Sequence, residues 1–301
     1  MRYPTIKILP VILLTIFTFN SCFDVNRDVD RFSLNPINEE EINHNSFNNL
    51  IIISTDLNIG KNRFVFAAID NNQNPISTPQ IEISLSNADK TTAIYDAMFV
   101  NWPSGKNGVY VSYPYFDVAG TWNMEIVIGP NKTKLNNKFI VNEESKTPKV
   151  GDSAPKSINK TRFSHPDLSQ ITSDIEPNLD LYNVTIKESI ENSNPIILTF
   201  STPGFCQTAT CGPQLQIISS LHDKYKYSVN FIHVEIYDNP HELALHFAKR
   251  KISPTVIQWG IFTEPFTFII NQKGIITAKY EGFATYGEIE SDLSKMIDSN
   301  L

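Results

Sequence analysis

The stretch Ile196-Ile197-Leu198-Thr199-Phe200-Ser201-Thr202-Pro203-Gly204-Phe205-Cys206-Gln207-Thr208-Ala209-Thr210-Cys211-Gly212-Pro213 decides how the C-terminal half of the chain is read. Ile196–Ser201 is a short, nearly continuous apolar run, as expected of a strand buried on both faces. Pro203-Gly204 ends it, and Pro213 suits the first turn of a helix running to about Tyr225. Two cysteines five positions apart lie between. Residues i and i+5 of a regular helix are roughly 8–9 Å apart, from the 1.5 Å rise and 3.6-residue period. A disulfide tolerates Cα separations of only about 4.4–6.8 Å. If the two bond, both cannot sit on one undistorted helix, so residues 206–210 are expected to form a loop and the regular helix to begin near Cys211 or later.

Working outward, a helix is expected over about Thr185–Asn192 and a strand over Val229–Glu235. A helix follows over about Pro240–Lys251, then strands Thr267–Asn271 and Ile275–Tyr280 and a last helix over about Tyr286–Ser299. Gln272-Lys273-Gly274 joins the last two strands as a hairpin, whereas the earlier strands need helical crossovers and are therefore parallel. The expectation is an α/β unit over residues 178–301, a mixed sheet covered by helices. Upstream, Leu50–Ser54, Arg63–Ile69, Gln80–Leu85, Gly108–Pro114, Gly120–Ile128 and Asn137–Val141 alternate with turn signals such as Asp70-Asn71-Asn72-Gln73-Asn74-Pro75. These six runs read as an all-β unit over residues 48–142. Asp56, Lys61, Arg63 and Asp70 are expected as solvated strand and turn residues rather than a binding patch, and Trp102 and Trp122 as core. Residues 143–177 are polar and read as a linker and lead-in segment containing Val150-Gly151-Asp152-Ser153-Ala154-Pro155; residues 23–47 read as a polar tether.

At 301 residues the chain is about two ordinary domains long, and 41% hydrophobic with 19% charged residues excludes bulk disorder. The net charge of −7 carries no basic stripe, which excludes nucleic acid as an expected partner. Arg2 and Lys7 precede an apolar run, Ile8 to Phe19, that stops at Asn20-Ser21-Cys22, the layout of a secretion signal over residues 1–22. It is too short to span a bilayer. A small residue before a lone Cys resembles the lipobox of bacterial lipoproteins, although Phe19 stands where Leu, Val or Ile is usual. The resemblance implies a lipidated Cys22, a membrane anchor and an extracytoplasmic location; plain cleavage or an uncleaved anchor are the alternatives. With Cys22 set aside, Cys206 and Cys211 remain as a pair that can form a disulfide outside the cytoplasm.

The order of apolar strand, two-cysteine loop, helix, and some sixty residues later Glu264-Pro265-Phe266-Thr267 opening a strand, hairpin and terminal helix resembles the thioredoxin fold. Val150–Pro155 looks like the lead-in of its redoxin and TlpA-type branch, so the resemblance covers about residues 149–301. Residues 48–142 are similar to the immunoglobulin-like sandwiches found beside such modules. The resemblance implies Cys206 as nucleophile and Cys211 as the resolving thiol. It also implies Pro265 as the cis-proline opposite the sulfur, with Glu264 and Phe205 beside it facing substrate. A sulfur ahead of a helix meets unpaired N–H groups and the positive end of the helix dipole, which favours thiolate. The implied activity is thiol–disulfide exchange with protein thiols or disulfides and a redox partner, with no cofactor and no metal.

Three departures stand out. Four residues rather than two separate the cysteines, Phe205 replaces a Trp, and Thr199 occupies the position of the family's buried acid. A peroxidase pattern is absent, and Gln258–Glu264 lacks the His of copper-delivering relatives. His222, His233, His241 and His246 remain, with His233 and His246 expected as structural. A non-catalytic binding module with a structural disulfide, or a Cu(I)-handling chaperone, are the alternatives.

Overall fold

The computed structural model describes residues 49–70, 74–87, 91–103, 105, 107–128 and 132–298, all within one compact unit, Pro36–Leu301. The readings of the signal segment, Cys22 and the tether lie outside these residues. Among the described residues no helix is long and apolar enough to cross a membrane.

The all-β portion contains β1 (Leu50–Ile52), β2 (Gly60–Lys61), β3 (Phe64–Ala68), β4 (Gln80–Ser86), β5 (Thr92–Asn101), β6 (Gly108–Ser112), β7 (Tyr115–Phe116), β8 (Gly120–Ile128) and β9 (Thr133–Val141). Seven of them form one antiparallel sheet in the order β1-β3-β6-β5-β4-β8-β9, and β2 pairs with β7. The sheet curls until its edges meet, where the Asn137 side-chain amide donates to the Leu50 carbonyl at 2.7 Å. Alternation produces the core: Phe64 and Phe66, Ile81, Ile83 and Leu85, Trp122, Met124 and Ile126, and Phe139 all point inward. The hydrogen-bonded strands thus make one curled sheet rather than two facing ones. β5 was not foreseen. Tyr95, Ala97 and Phe99 face the core, but the alternate, exposed positions include Ile94 and Met98, so the apolar–polar alternation in sequence that marks its neighbours is blurred.

β3 and β6 differ from the other strands in being apolar on both faces. Val65, Val109 and Val111 form a second small cluster with Ile53, Val100 and Trp102, on residues alternate to the Phe64, Phe66 and Tyr110 of the main core. Trp122 is core, as expected; Trp102 instead belongs to this outer cluster.

The α/β portion comprises α1 (Ile186–Glu191), β10 (Ile196–Ser201), α2 (Cys211–Tyr225), β11 (Asn230–Glu235), α3 (Pro240–His246), α4 (Pro254–Gln258), β12 (Phe266–Ile270), β13 (Ile276–Glu281) and α5 (Tyr286–Asp298). Its sheet order is β11-β10-β12-β13, with β10 and β11 parallel and the other pairs antiparallel. This is the thioredoxin-like order. β10 is buried at all six positions because helices cover both faces. Thr185 caps α1 in a reciprocal capping box with Glu188. Gly274 has φ +73° in the hairpin turn, and a Cβ there would lie 2.9 Å from Ile190 Cγ2. The short helix α4 was not anticipated.

Residues 150–184 are folded onto the α/β sheet: Ala154 N–H donates to Gly274, Ile276 N–H to Asp152, and Ile171, Leu181 and Tyr182 enter the core. The solvated reading of Asp56 and Arg63 is corrected. The Asp56 side chain has no exposure and accepts from Lys146 N–H (2.8 Å), Thr147 Oγ1 (2.8 Å) and Lys279 Nζ (2.9 Å). Arg63 reaches Glu288 at 2.9 Å and donates to the carbonyls of Glu281 (3.0 Å) and Phe283 (2.9 Å). Charges that look solvated in sequence are drawn into the junction by partners from 90 to 225 residues away.

Candidate redox site

α2 begins at Cys211, and Gln207–Thr210 precede it outside any regular element, as the spacing argument requires. Cys206 and Cys211 are joined by a disulfide across a Cα separation of 6.1 Å. Cys211 is fully buried, whereas Cys206 is only half-buried. An attacking sulfur therefore reaches Cys206 and not Cys211. Thr210 gives α2 no side-chain cap. In its place the Cys211 N–H points at Cys206 Sγ at 3.4 Å, and Thr208 Oγ1 lies 3.4 Å from the same sulfur. The sulfur thus sits where a capping oxygen would, so a negative charge on it is stabilised by the helix terminus.

The peptide Glu264–Pro265 is cis. Pro265 is buried, and the Glu264 carboxyl lies within 4.8 Å of both cysteine sulfurs. Glu264 accepts from the Thr202 N–H at 2.6 Å. Burial pushes its carboxyl up to about 8, the neighbouring Glu235 carboxylate adds to the rise, and the Thr202 donor opposes it. Glu235 ends β11, buried; burial raises it to about 7 against donors from Ser173, whose N–H and hydroxyl both reach it at 2.7 Å. Ser173 also accepts from Gly204 N–H at 3.0 Å, so the lead-in segment braces the cysteine loop.

Thr199, at the position of the family's buried acid, bonds to Thr267 at 3.1 Å. An acid nonetheless stands at the disulfide, supplied by Glu264 from the adjoining strand end. Sequence reasoning placed Glu264 only as a substrate contact and did not single out Glu235. Both follow the same signal, an acid at the terminus of an apolar strand run, where burial of its neighbours forces burial on it too.

Phe205 packs against Tyr237 and Phe247, with ring centroids 6.3 and 5.7 Å away. His233 is buried between the Tyr182 hydroxyl (2.7 Å) and Ser201 Oγ (3.0 Å), and burial lowers its pKa to about 4, so it is a neutral structural residue. Among the described residues the two sulfurs and Glu264 are the one trio of metal-ligating type gathered at a point. With the sulfurs bonded to each other, neither offers the thiolate that a soft metal needs.

No protein-family model matches the chain, and no curated protein matches it. Among solved structures, a candidate thiol:disulfide interchange protein DsbE from Chlorobium tepidum is 14% identical, with a TM-score of 0.36 over 49% of this chain and 97% of that one. StoA from Bacillus subtilis is 20% identical, with a TM-score of 0.30 over 41% of this chain and 94% of its own. A DsbF homologue from Corynebacterium diphtheriae is 14% identical at a TM-score of 0.30, over 37% and 76%. Likeness this distant carries no functional weight; the topology and the disulfide site describe a thioredoxin-like α/β portion in their own right.

Proposed function

We propose that the chain is a thiol–disulfide oxidoreductase acting through Cys206 and Cys211. The observation that carries this reading is the asymmetry of the bond: one sulfur reachable at a helix N-terminus, the other sealed beside a protonatable carboxyl. In the reducing direction, a Cys206 thiolate attacks a client disulfide and displaces one client sulfur as thiolate. Cys211 then gives its proton to Glu264 in the fraction of molecules in which that carboxyl is ionised, and attacks the Cys206 sulfur of the mixed disulfide, releasing the second client sulfur as thiolate and closing the internal bridge. In the opposite direction a client thiolate opens the bridge at Cys206, and the departing Cys211 sulfur takes the proton that Glu264 holds at neutral pH; a second client thiolate then attacks the client sulfur of the mixed disulfide, forming the client disulfide and releasing Cys206 as thiolate. Each cycle moves two electrons and two protons between protein thiols and needs no bound cofactor.

Pro265, Glu264 and Phe205 line the approach to the sulfur in this reading. Extracytoplasmic action from a lipid anchor at Cys22 belongs to the same proposal, as does an all-β unit over residues 48–142 preceding a thioredoxin-like unit over 178–301. The test is turnover of a protein disulfide such as insulin by the full chain. Cys206→Ser should abolish it, and Cys211→Ser should accumulate a client mixed disulfide visible on a non-reducing gel. Equal turnover by wild type and Cys206→Ser would overturn the proposal.

A further inference from the structure

The face of the curled sheet that carries Val65, Ile53 and Trp102 does not end in solvent. Together with Ser54 these residues form one wall of a cleft whose other wall is Thr208, Thr210, Thr263, Glu264, Glu281, Gly282 and Phe283. The volume is about 70 Å³. That is about half the roughly 150 Å³ of an engineered apolar cavity that takes up benzene, so one aliphatic side chain fits and an indole does not.

Position identifies the occupant. Thr208, on the cleft wall, touches Cys206 Sγ at 3.4 Å, and Glu264, on the same wall, is within 4.8 Å of the same sulfur. A segment whose cysteine meets Cys206 must therefore pass the mouth of the cleft. In an extended segment, side chains two positions apart share a face and lie about 6–7 Å apart. The wall is also held in place: Arg63 crosses the junction to the carbonyls of Glu281 and Phe283, on either side of Gly282. Trp102 is kept at the tip of the β5–β6 hairpin by backbone bonds to Asn107 (2.7 Å) and from Gly105 (2.8 Å).

We infer that this cleft is a specificity pocket of the oxidoreductase proposed above, in which the all-β portion reads an aliphatic side chain close to the reacting cysteine of an extended client segment. The pocket gives Val65, apolar on the face of β3 turned away from the main core, a surface to line. It also gives the all-β portion a role in substrate choice rather than that of a spacer.

The inference rests on the oxidoreductase reading, and the test separates the two. Peptides carrying a cysteine in mixed disulfide with glutathione, identical except for Leu or Gly two positions away, are compared by kcat/KM with the full chain. The wild type should prefer Leu by about tenfold or more, the range expected for an aliphatic group in an apolar pocket. Trp102→Ala should bring that ratio to within about threefold, and Ile53→Glu, at a half-buried position on the same wall, should do the same by placing a charge in the pocket. Binding of the same peptides with Ser in place of Cys, followed by perturbation of Trp102 resonances, gives a readout independent of chemistry. Leu-selective binding without turnover keeps the pocket and refutes the oxidoreductase reading. Turnover with no Leu preference, or a preference that survives both substitutions, overturns the pocket.

Discussion

Replacing Glu264 by Gln removes a proton from the site and little else. The amide is the isostere of the protonated acid and still offers an oxygen to the Thr202 N–H, which bonds the carboxyl at 2.6 Å in the wild type. With its pKa raised to about 8, Glu264 is mostly protonated at pH 7 and can hand a proton to the departing Cys211 sulfur. General acid catalysis by a positioned group contributes about 10²–10⁴-fold, and Cys211 is fully buried, so bulk water is a poor substitute. The expected result is a loss of about 10²-fold in the rate at which a dithiol opens the bridge, followed by stopped-flow tryptophan fluorescence. Rates corrected for the thiolate fraction of the dithiol should fall through about pH 8 in the wild type and show no such inflection in the variant.

Stability provides a second readout of the same group. The folded-state pKa of Glu264 lies above its ordinary value of 4.5, so the native chain holds a proton that the unfolded chain has lost. By linkage, stability from this group is greatest below about pH 4.5, declines as pH rises to about 8, and is level above. Moving from 4.5 to about 8 at 1.36 kcal/mol for each pH unit is about 5 kcal/mol in full, and water at the cleft mouth should reduce this to about 2 kcal/mol. The groups facing Glu264 are Glu235, Tyr237 and the two sulfurs. Glu235 titrates over part of the same range, so the informative quantity is the difference between wild type and variant in urea unfolding at pH 5 and pH 9. A variant with wild-type rates, an unchanged inflection and an unchanged stability slope would refute the proton-carrying role.

Further consequences concern the junction between the two portions. Arg63→Ala leaves Glu288 partly buried without its cation and frees two carbonyls; breaking a buried pair costs about 3–5 kcal/mol, measurable by urea denaturation. Arg63→Lys should recover little of it, because an ammonium cannot serve the carboxylate and both carbonyls in one plane. At Asp56 burial opposes the charge, but Lys279, Ser145 and Lys146 N–H hold the pKa below 3.8. A depressed carboxylate contributes stability above its unfolded pKa and loses it as pH falls through the folded one. Asp56→Asn should therefore destabilise the chain by several kcal/mol at pH 7, with the difference shrinking as the pH falls below 3.8; a constant difference across that range would contradict the ion-pair account.

What was legible in the sequence was local. The apolar run of β10, the Pro-Gly break, the Cys spacing and Pro213 together placed the loop and the start of α2, because each depends on backbone geometry within a few residues. The parallel pairing of β10 and β11 followed from the helical connection between them, and the Gln272-Lys273-Gly274 hairpin from its turn chemistry; β12, also reached through helices, nonetheless runs antiparallel to β10, because a connection's length does not fix which neighbour a strand pairs with. β5 escaped because apolar Ile94 and Met98 occupy its exposed face and mask the alternation of its inward residues. The chemistry of the site was decided by the tertiary structure. Glu264 meets sulfurs more than fifty residues earlier only because β12 pairs with β10, and its raised pKa is a property of the burial that results. Likewise, Arg63 and Asp56 carry no sign of burial in their own neighbourhood, and Trp102 reaches the cleft wall only through the curl of a sheet whose edges lie far apart in the chain. Periodicity and spacing report the nearest few residues, whereas a pKa or a pocket depends on every group folded against it.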